Sequence, residues 1–514
     1  MIISKNFILL SFFIFLAGTI IAQQATWMPK NKMSKNGFAI LGAENGEIAA
    51  TNDKEFGIID ANTLELKKLT KKEPSKYPHL YLDGKWISFS DDASAAKMSK
   101  RLCISYKAIN ENSAKEKELL CIDIYSQKKE KKLIKEEARL NGSLTFGKLV
   151  TSLNNQWLML PHVNYLNQTI DHYVFNNKLE LIYEKKIPYL QKIKNEKVNL
   201  NLGEVFLTDE GNIKYGGYHE KSKGNSFQPF TLAYDRNNDQ VTSFISNPSE
   251  NRVFTPSERE GKKSLLSYLG PPRRSGSTRY KVTDEAFLYG GIYKDSKGKK
   301  EEGVFFGRFD FATNTFSKLQ EIPFDGEMLS KISKQKSGKI KGQINIKNLL
   351  LKSNKDVILL FELNNSKSGM RTIPDNNQRN ESQWVTDNNN LDILYYNFNS
   401  QNELTYSGNI EKHQKKDVAA DSFLAASIEN TTYILFNSLD GDAKIMKYDI
   451  SKDGTVTENV VNSSGKKYIS PGNQNSNIFI NLGKQGLSHL ITNNDEILLE
   501  GRDGKHPTLV KIKL

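Results

Sequence analysis

Leu207-Thr208-Asp209-Glu210, followed by Tyr215-Gly216-Gly217-Tyr218, returns as Val282-Thr283-Asp284-Glu285 with Tyr289-Gly290-Gly291-Ile292-Tyr293. Each copy reads as a strand, a tight acidic turn and a second strand. A third strand ending on Asp or Asn and a fourth strand complete the unit. One such unit cannot bury its apolar face alone and must stack on copies of itself.

Eight turns mark the first hairpin of successive units: Glu44-Asn45-Gly46, Asp83-Gly84, Asn154-Asn155, Asp209-Glu210-Gly211, Asp284-Glu285, Asn354-Lys355, Glu429-Asn430 and Asn493-Asn494-Asp495. Most of these residues tolerate positive φ or satisfy their own turn hydrogen bonds. Apolar, β-branched and aromatic runs flank them, as at Trp157–Leu160, Val357–Phe361 and Tyr433–Phe436. The third strand is expected to end on Asp60, Asp123, Asn176, Asp235, Asp310, Asn397 and Asp449, where turn capping is the expected role. The last unit supplies only three strands, His489–Thr492, Glu496–Glu500 and Thr508–Lys513. Ala25–Lys30 is expected to add the fourth, clasping the chain ends and removing an exposed edge. The expected fold is therefore an all-β propeller of four-stranded antiparallel blades, eight by count. Seven stays open because the second unit is crowded with extra strand-like pieces. Helix is expected to be scarce; the Lys/Glu-rich Gln127–Ala138 reads as a charged edge strand or loop.

The first residues read as a secretory signal: Lys5, then an apolar run over Phe7–Leu16 and small residues up to Ala22. Cleavage before Gln23 is expected, with an uncleaved anchor as the alternative. This leaves residues 23–514 as one propeller domain, without a transmembrane span and with a long polar insertion at about 364–390. Of the 72 basic residues only 12 are Arg, and the formal net charge is +13. A Lys-dominated surplus on an exported chain fits a solvated coat better than nucleic-acid recognition.

Catalytic signatures are wanting. No Gly-x-Ser-x-Gly elbow, His-Glu-x-x-His helix or phosphate-cradling glycine loop occurs, and no cofactor or metal site is expected. Among seven scattered histidines, only His162 and His172 fall in neighbouring strands and are placed to approach each other. Asp449 and Asp453 suit turn chemistry better than a calcium loop. Two loops draw attention as binding candidates. The scarce arginines cluster at Arg273, Arg274 and Arg279, which would receive a carboxylate or sulfate. The 364–390 insertion, expected as a partly ordered or disordered loop, carries Arg371 and Trp384, whose ring would stack on a saccharide or peptide. Cys103 and Cys121 lie in successive strand-like runs. A disulfide and two buried thiols are both open for them.

The leader ending Ala22-Gln23-Gln24, the Lys/Asn-rich composition, the Asp209-Glu210-Gly211-Asn212 hairpin running into Tyr215-Gly216-Gly217, and Asp421-Ser422-Phe423 through Thr432–Asn437 resemble exported, uncharacterised β-propeller-like proteins of Bacteroidetes. That resemblance implies a protein of the periplasm or the outer membrane, with an extracellular place less expected because no sorting domain follows the last unit. The function expected on these grounds is a non-enzymatic binding scaffold whose partner is an envelope protein or glycan. A propeller-type glycosidase or polysaccharide lyase with carboxylates on loops is the alternative.

Overall fold

A computed structural model describes most of residues 25–514; residues 1–24 and, internally, 247–252, 255–277, 325–342, 375–379, 413–422, 470–488 and shorter connections lie outside the described residues. The proposed leader and its cleavage point, with Arg273 and Arg274, therefore fall outside them. For 79–146 and 364–391 the description is of the backbone.

Eight antiparallel sheets of four or five strands form among the described residues, together with two short hairpins. Seven of these sheets are meanders in chain order, and the eighth takes one strand from the amino terminus. The fourth blade shows the plan: Glu204–Leu207, Ile213–Glu220, Ser226–Asp235 and Gln240–Ile245, each strand hydrogen-bonded to the next. The middle strands are covered on both faces by neighbouring blades, so they read as unbroken apolar runs. Val357 to Phe361 in the sixth blade are all fully buried, each side chain contributing roughly 1.5–3 kcal/mol. Outer strands face solvent on one side and alternate instead, as over Leu404–Ile410.

The wheel closes as the incomplete last unit predicts. Thr26 and Trp27 pair antiparallel with Lys511 and Val510, making the amino-terminal segment the outer strand of the eighth blade. Met28, Met33, Ile40, Ile48 and Ile59 then pack with Leu498 and Leu509, joining the first blade to the eighth. Lys511 Nζ donates to the carbonyl of Ala61 across the same seam, at 3.0 Å.

Shared apolar clusters join the other described blades in succession: third to fourth, fourth to fifth, fifth to sixth, sixth to seventh and seventh to eighth. The repeated Gly-Gly pair owes its place to this stacking. A Cβ on Gly216 would lie 2.2 Å from the ring of Phe287 on the fifth blade, and one on Gly290 would lie 2.7 Å from Leu359 on the sixth. The first glycine of each pair thus receives a large side chain of the following blade.

The second unit departs from expectation. The strands on either side of Asp83-Gly84, His79–Leu82 and Lys85–Ser88, do pair, but as a two-stranded sheet separate from the blade. The blade itself begins at Ser94–Met98 and ends on the Lys/Glu-rich outer strand Lys129–Glu137. This resolves the count at eight.

The turns behave as their composition requires. Gly46, Asn155, Gly211, Lys355, Glu429 and Asp495 have positive φ. Asp60 Oδ1 accepts from the amides of Asn62 and Thr63, and Asp310 Oδ1 from those of Ala312 and Thr313. In the sixth and seventh blades the cap moves two or more residues on. Asn399 caps Glu403 and Asp453 caps Thr455, while Asn397 is buried and bonds Thr405. The first-hairpin turns also join neighbours: Asp209 Oδ1 accepts from Asn154 N at 2.8 Å, Lys214 pairs with Asp284 at 2.6 Å, and Asn430 Oδ1 accepts from Asn354 N at 3.0 Å. These acidic and amide residues are seam contacts as well as local caps.

Candidate functional site

An up-and-down blade divides its connections between two faces of the wheel. The first and third turns of each blade lie on one face, where they are short. The second turns, and the strand ends from which the chain passes to the next blade, lie on the other. That second face also bears the longest strands of the molecule, Val357–Pro374 and Asn380–Phe398 of the sixth blade.

Here the expectation of a polar loop at 364–390 is corrected. The insertion is a two-stranded ribbon whose ladder runs from Asn364↔Asn390 to Pro374↔Asn380, roughly 30 Å beyond the blade. Asn, Gly and Asp carry little strand propensity, so composition read as loop; the pairing is inherited from the apolar strands that feed it. Arg371 stands opposite Gln383 and Trp384 opposite Met370. The ladder keeps one register throughout this stretch, with a single shift between Glu362 and Asn364.

At that shift the ribbon is rooted in a buried charge cluster that sequence reading missed. Glu362 and Lys412 are both fully buried and hydrogen-bonded to one another. Glu362 Oε2 also lies 2.9 Å from Lys347 Nζ, an ion pair without hydrogen-bond alignment. The Lys412 amide donates to Asp392 Oδ1 at 3.4 Å, and its ammonium lies 5.8 and 5.9 Å from the rings of Phe423 and Phe436. Burial lowers the Lys412 pKa, and the Glu362 carboxylate opposes that shift. The cluster ties both ribbon strands, through Glu362 and Asp392, to the passage into the seventh blade. Glu362 ends the apolar run Val357–Phe361, and an acid there was the available sign. Lys412 sits in the charged string Glu411–Lys416, which reads as solvated surface.

Of the clustered arginines only Arg279 falls among the described residues. Arg279 lies in the inner strand of the fifth blade, half-buried, with Nη1 donating to the Thr278 carbonyl at 3.3 Å. Cys103 and Cys121 are direct cross-strand partners in the second blade. His162 and His172 are in adjacent strands but on opposite faces, since His162 stands opposite Asp171 and His172 opposite Pro161. His172 is instead fully buried against the fourth blade. Its Nδ1 donates to the Lys185 carbonyl at 3.1 Å, which leaves Nε2 to accept from the Tyr215 hydroxyl. Burial pulls its pKa down to about 4. Among the described residues no group of three or more His, Cys, Asp or Glu is placed to hold a metal ion, and no helix is long and apolar enough to cross a membrane.

No family model and no curated protein matches the chain. Solved structures similar to it include the β-propeller domain of the trilobed protease from Pyrococcus furiosus, at 8% identity over 83% of this chain and 94% of that one, with a TM-score of 0.34. A protein from Lactobacillus plantarum matches at 10% identity over 83% and 96%, TM-score 0.36. The β-propeller domain of Nup133 from Vanderwaltozyma polyspora matches at 10% identity over 84% and 99%, TM-score 0.32. At such scores these likenesses carry no argument, and the propeller rests on the chain's own strand order and closing seam.

Proposed function

We propose that this chain is an exported, non-enzymatic propeller of the bacterial envelope, periplasmic or attached to the outer membrane, that binds an envelope protein or glycan. The leader-like amino terminus and the resemblance to exported Bacteroidetes propeller-like proteins support the compartment. The observation that carries the binding role is the asymmetry of the wheel. Tight, mutually bonded turns finish one face, and the other bears a ribbon anchored on buried charge. Loops presented by a rigid scaffold are where recognition ordinarily resides. A wheel needs no 30 Å arm to be stable, so a role outside the fold is the economical reading of the arm.

The test is affinity capture from the native envelope, comparing the intact chain with one in which residues 365–389 are replaced by Asn-Gly. The intact chain is expected to retain a protein or glycan that the shortened chain loses. Equal capture by both, or none by folded intact protein, contradicts the proposal.

A further inference from the structure

We infer that the ribbon carries a binding strip for an uncharged polysaccharide on one of its two faces; this rests on the reading of the propeller as a binding platform. The inference starts from register. Because the ladder shifts only at its root, alternate residues from 364 to 374 and from 380 to 390 fall on the same face without interruption. One face then holds neutral residues alone, with Ser366, Ser368, Thr386 and Asn388 leading along it to the pair Met370 and Trp384. The opposite face holds all the charge of the paired stretch: Lys367 opposite Asp387, then Arg371 and Glu381.

The sorting fits a ligand that meets hydroxyls, amides and one indole. A saccharide offers hydroxyls that both donate and accept, and C–H faces that pack on an aromatic ring. An anionic polymer would be better served by the other face, and a protein partner ordinarily wants clustered aromatic and aliphatic anchors. The ribbon's own stability points the same way. Among the described residues Gln343 pairs no further than Asn364, and Ile410 no further than Ile393. A two-stranded ribbon by itself is marginal in water, and a ligand lying along its face would add cover.

The experiment is native affinity electrophoresis of the full chain in gels containing soluble starch, mixed-linkage β-glucan or galactomannan, with alginate and polygalacturonate as charged controls. Retardation in at least one neutral gel is expected, little changed by about 0.5 M salt because no charge is involved. Trp384→Ala is expected to weaken it roughly tenfold, as loss of an aromatic contact would, with Trp384→Phe restoring most of it. Lys367→Ala and Arg371→Ala should leave it within about twofold, since both sit on the other face. An unchanged melting transition in each variant shows that the wheel is intact. Retardation confined to the anionic gels and lost in Arg371→Ala overturns the assignment of the face. No retardation in any neutral gel overturns the inference itself, while capture of an envelope protein that depends on residues 365–389 would still uphold the platform.

Discussion

Glu362→Gln keeps the shape of the side chain and removes its charge, so it isolates what the buried cluster at the ribbon root contributes. Both Glu362 and Lys412 have no exposed side-chain surface, whereas Lys347 is about one-third exposed. The substitution therefore leaves one ammonium buried among Phe423 and Phe436 without its carboxylate. Breaking a buried pair in this way costs about 3–5 kcal/mol. Lys347→Ala removes a partner that water can replace and should cost no more than about 1 kcal/mol. Replacing both buried members by Met removes the stranded charge, and the double variant should recover most of the loss. Urea unfolding followed by tryptophan fluorescence reads all three. Near-equal costs for Glu362→Gln and Lys347→Ala would refute the burial argument, as would a double variant no better than the single one.

Three further outcomes are expected. His172 stays neutral in the folded chain down to about pH 4 but ionises near 6.5 when unfolded, so stability should be complete above pH 6.5 and fall by about 3 kcal/mol as pH drops through that window; urea midpoints of wild type and His172→Gln measured from pH 7 to 4.5 should converge, and parallel curves would contradict this. Gly216→Ala drives a methyl into the Phe287 ring and should cost about 1–3 kcal/mol by thermal unfolding, while Gly46→Ala, with open space around its Cβ, should show only the smaller strain of a positive φ. Cys103 and Cys121, directly opposite in the second blade, should be recovered as one cross-strand disulfide on non-reducing peptide mapping of the oxidised protein, and two free thiols under those conditions would count against it.

The architecture was largely legible because its determinants are local. Turn residues such as Asn155, Gly211 and Glu429 announce themselves by what their backbone needs, and an apolar run such as Val357–Phe361 announces a strand covered on both sides. Even the clasp could be read, since three terminal strands leave a sheet one short. The ribbon was not legible, because the polar residues around Trp384 lack the apolar alternation that marks a strand and their pairing is imposed from the blade below. Nor was the Glu362–Lys412 pair. Fifty positions separate its members, and each alone resembles ordinary surface charge. The crowded second unit misled for a related reason: Asp83-Gly84 makes a good hairpin wherever it lies, and only tertiary pairing shows that its strands stay outside the blade.

The closing seam offers the most direct test of the wheel. With Cys103 and Cys121 changed to Ser, cysteines introduced by Thr26→Cys and Lys511→Cys occupy paired positions on adjacent strands. Mild oxidation of the folded protein should join the two peptides in high yield, and prior unfolding in urea should abolish the link. Failure of the folded chain to form that bond, with both thiols still titratable, would mean that the first and last strands do not share a sheet.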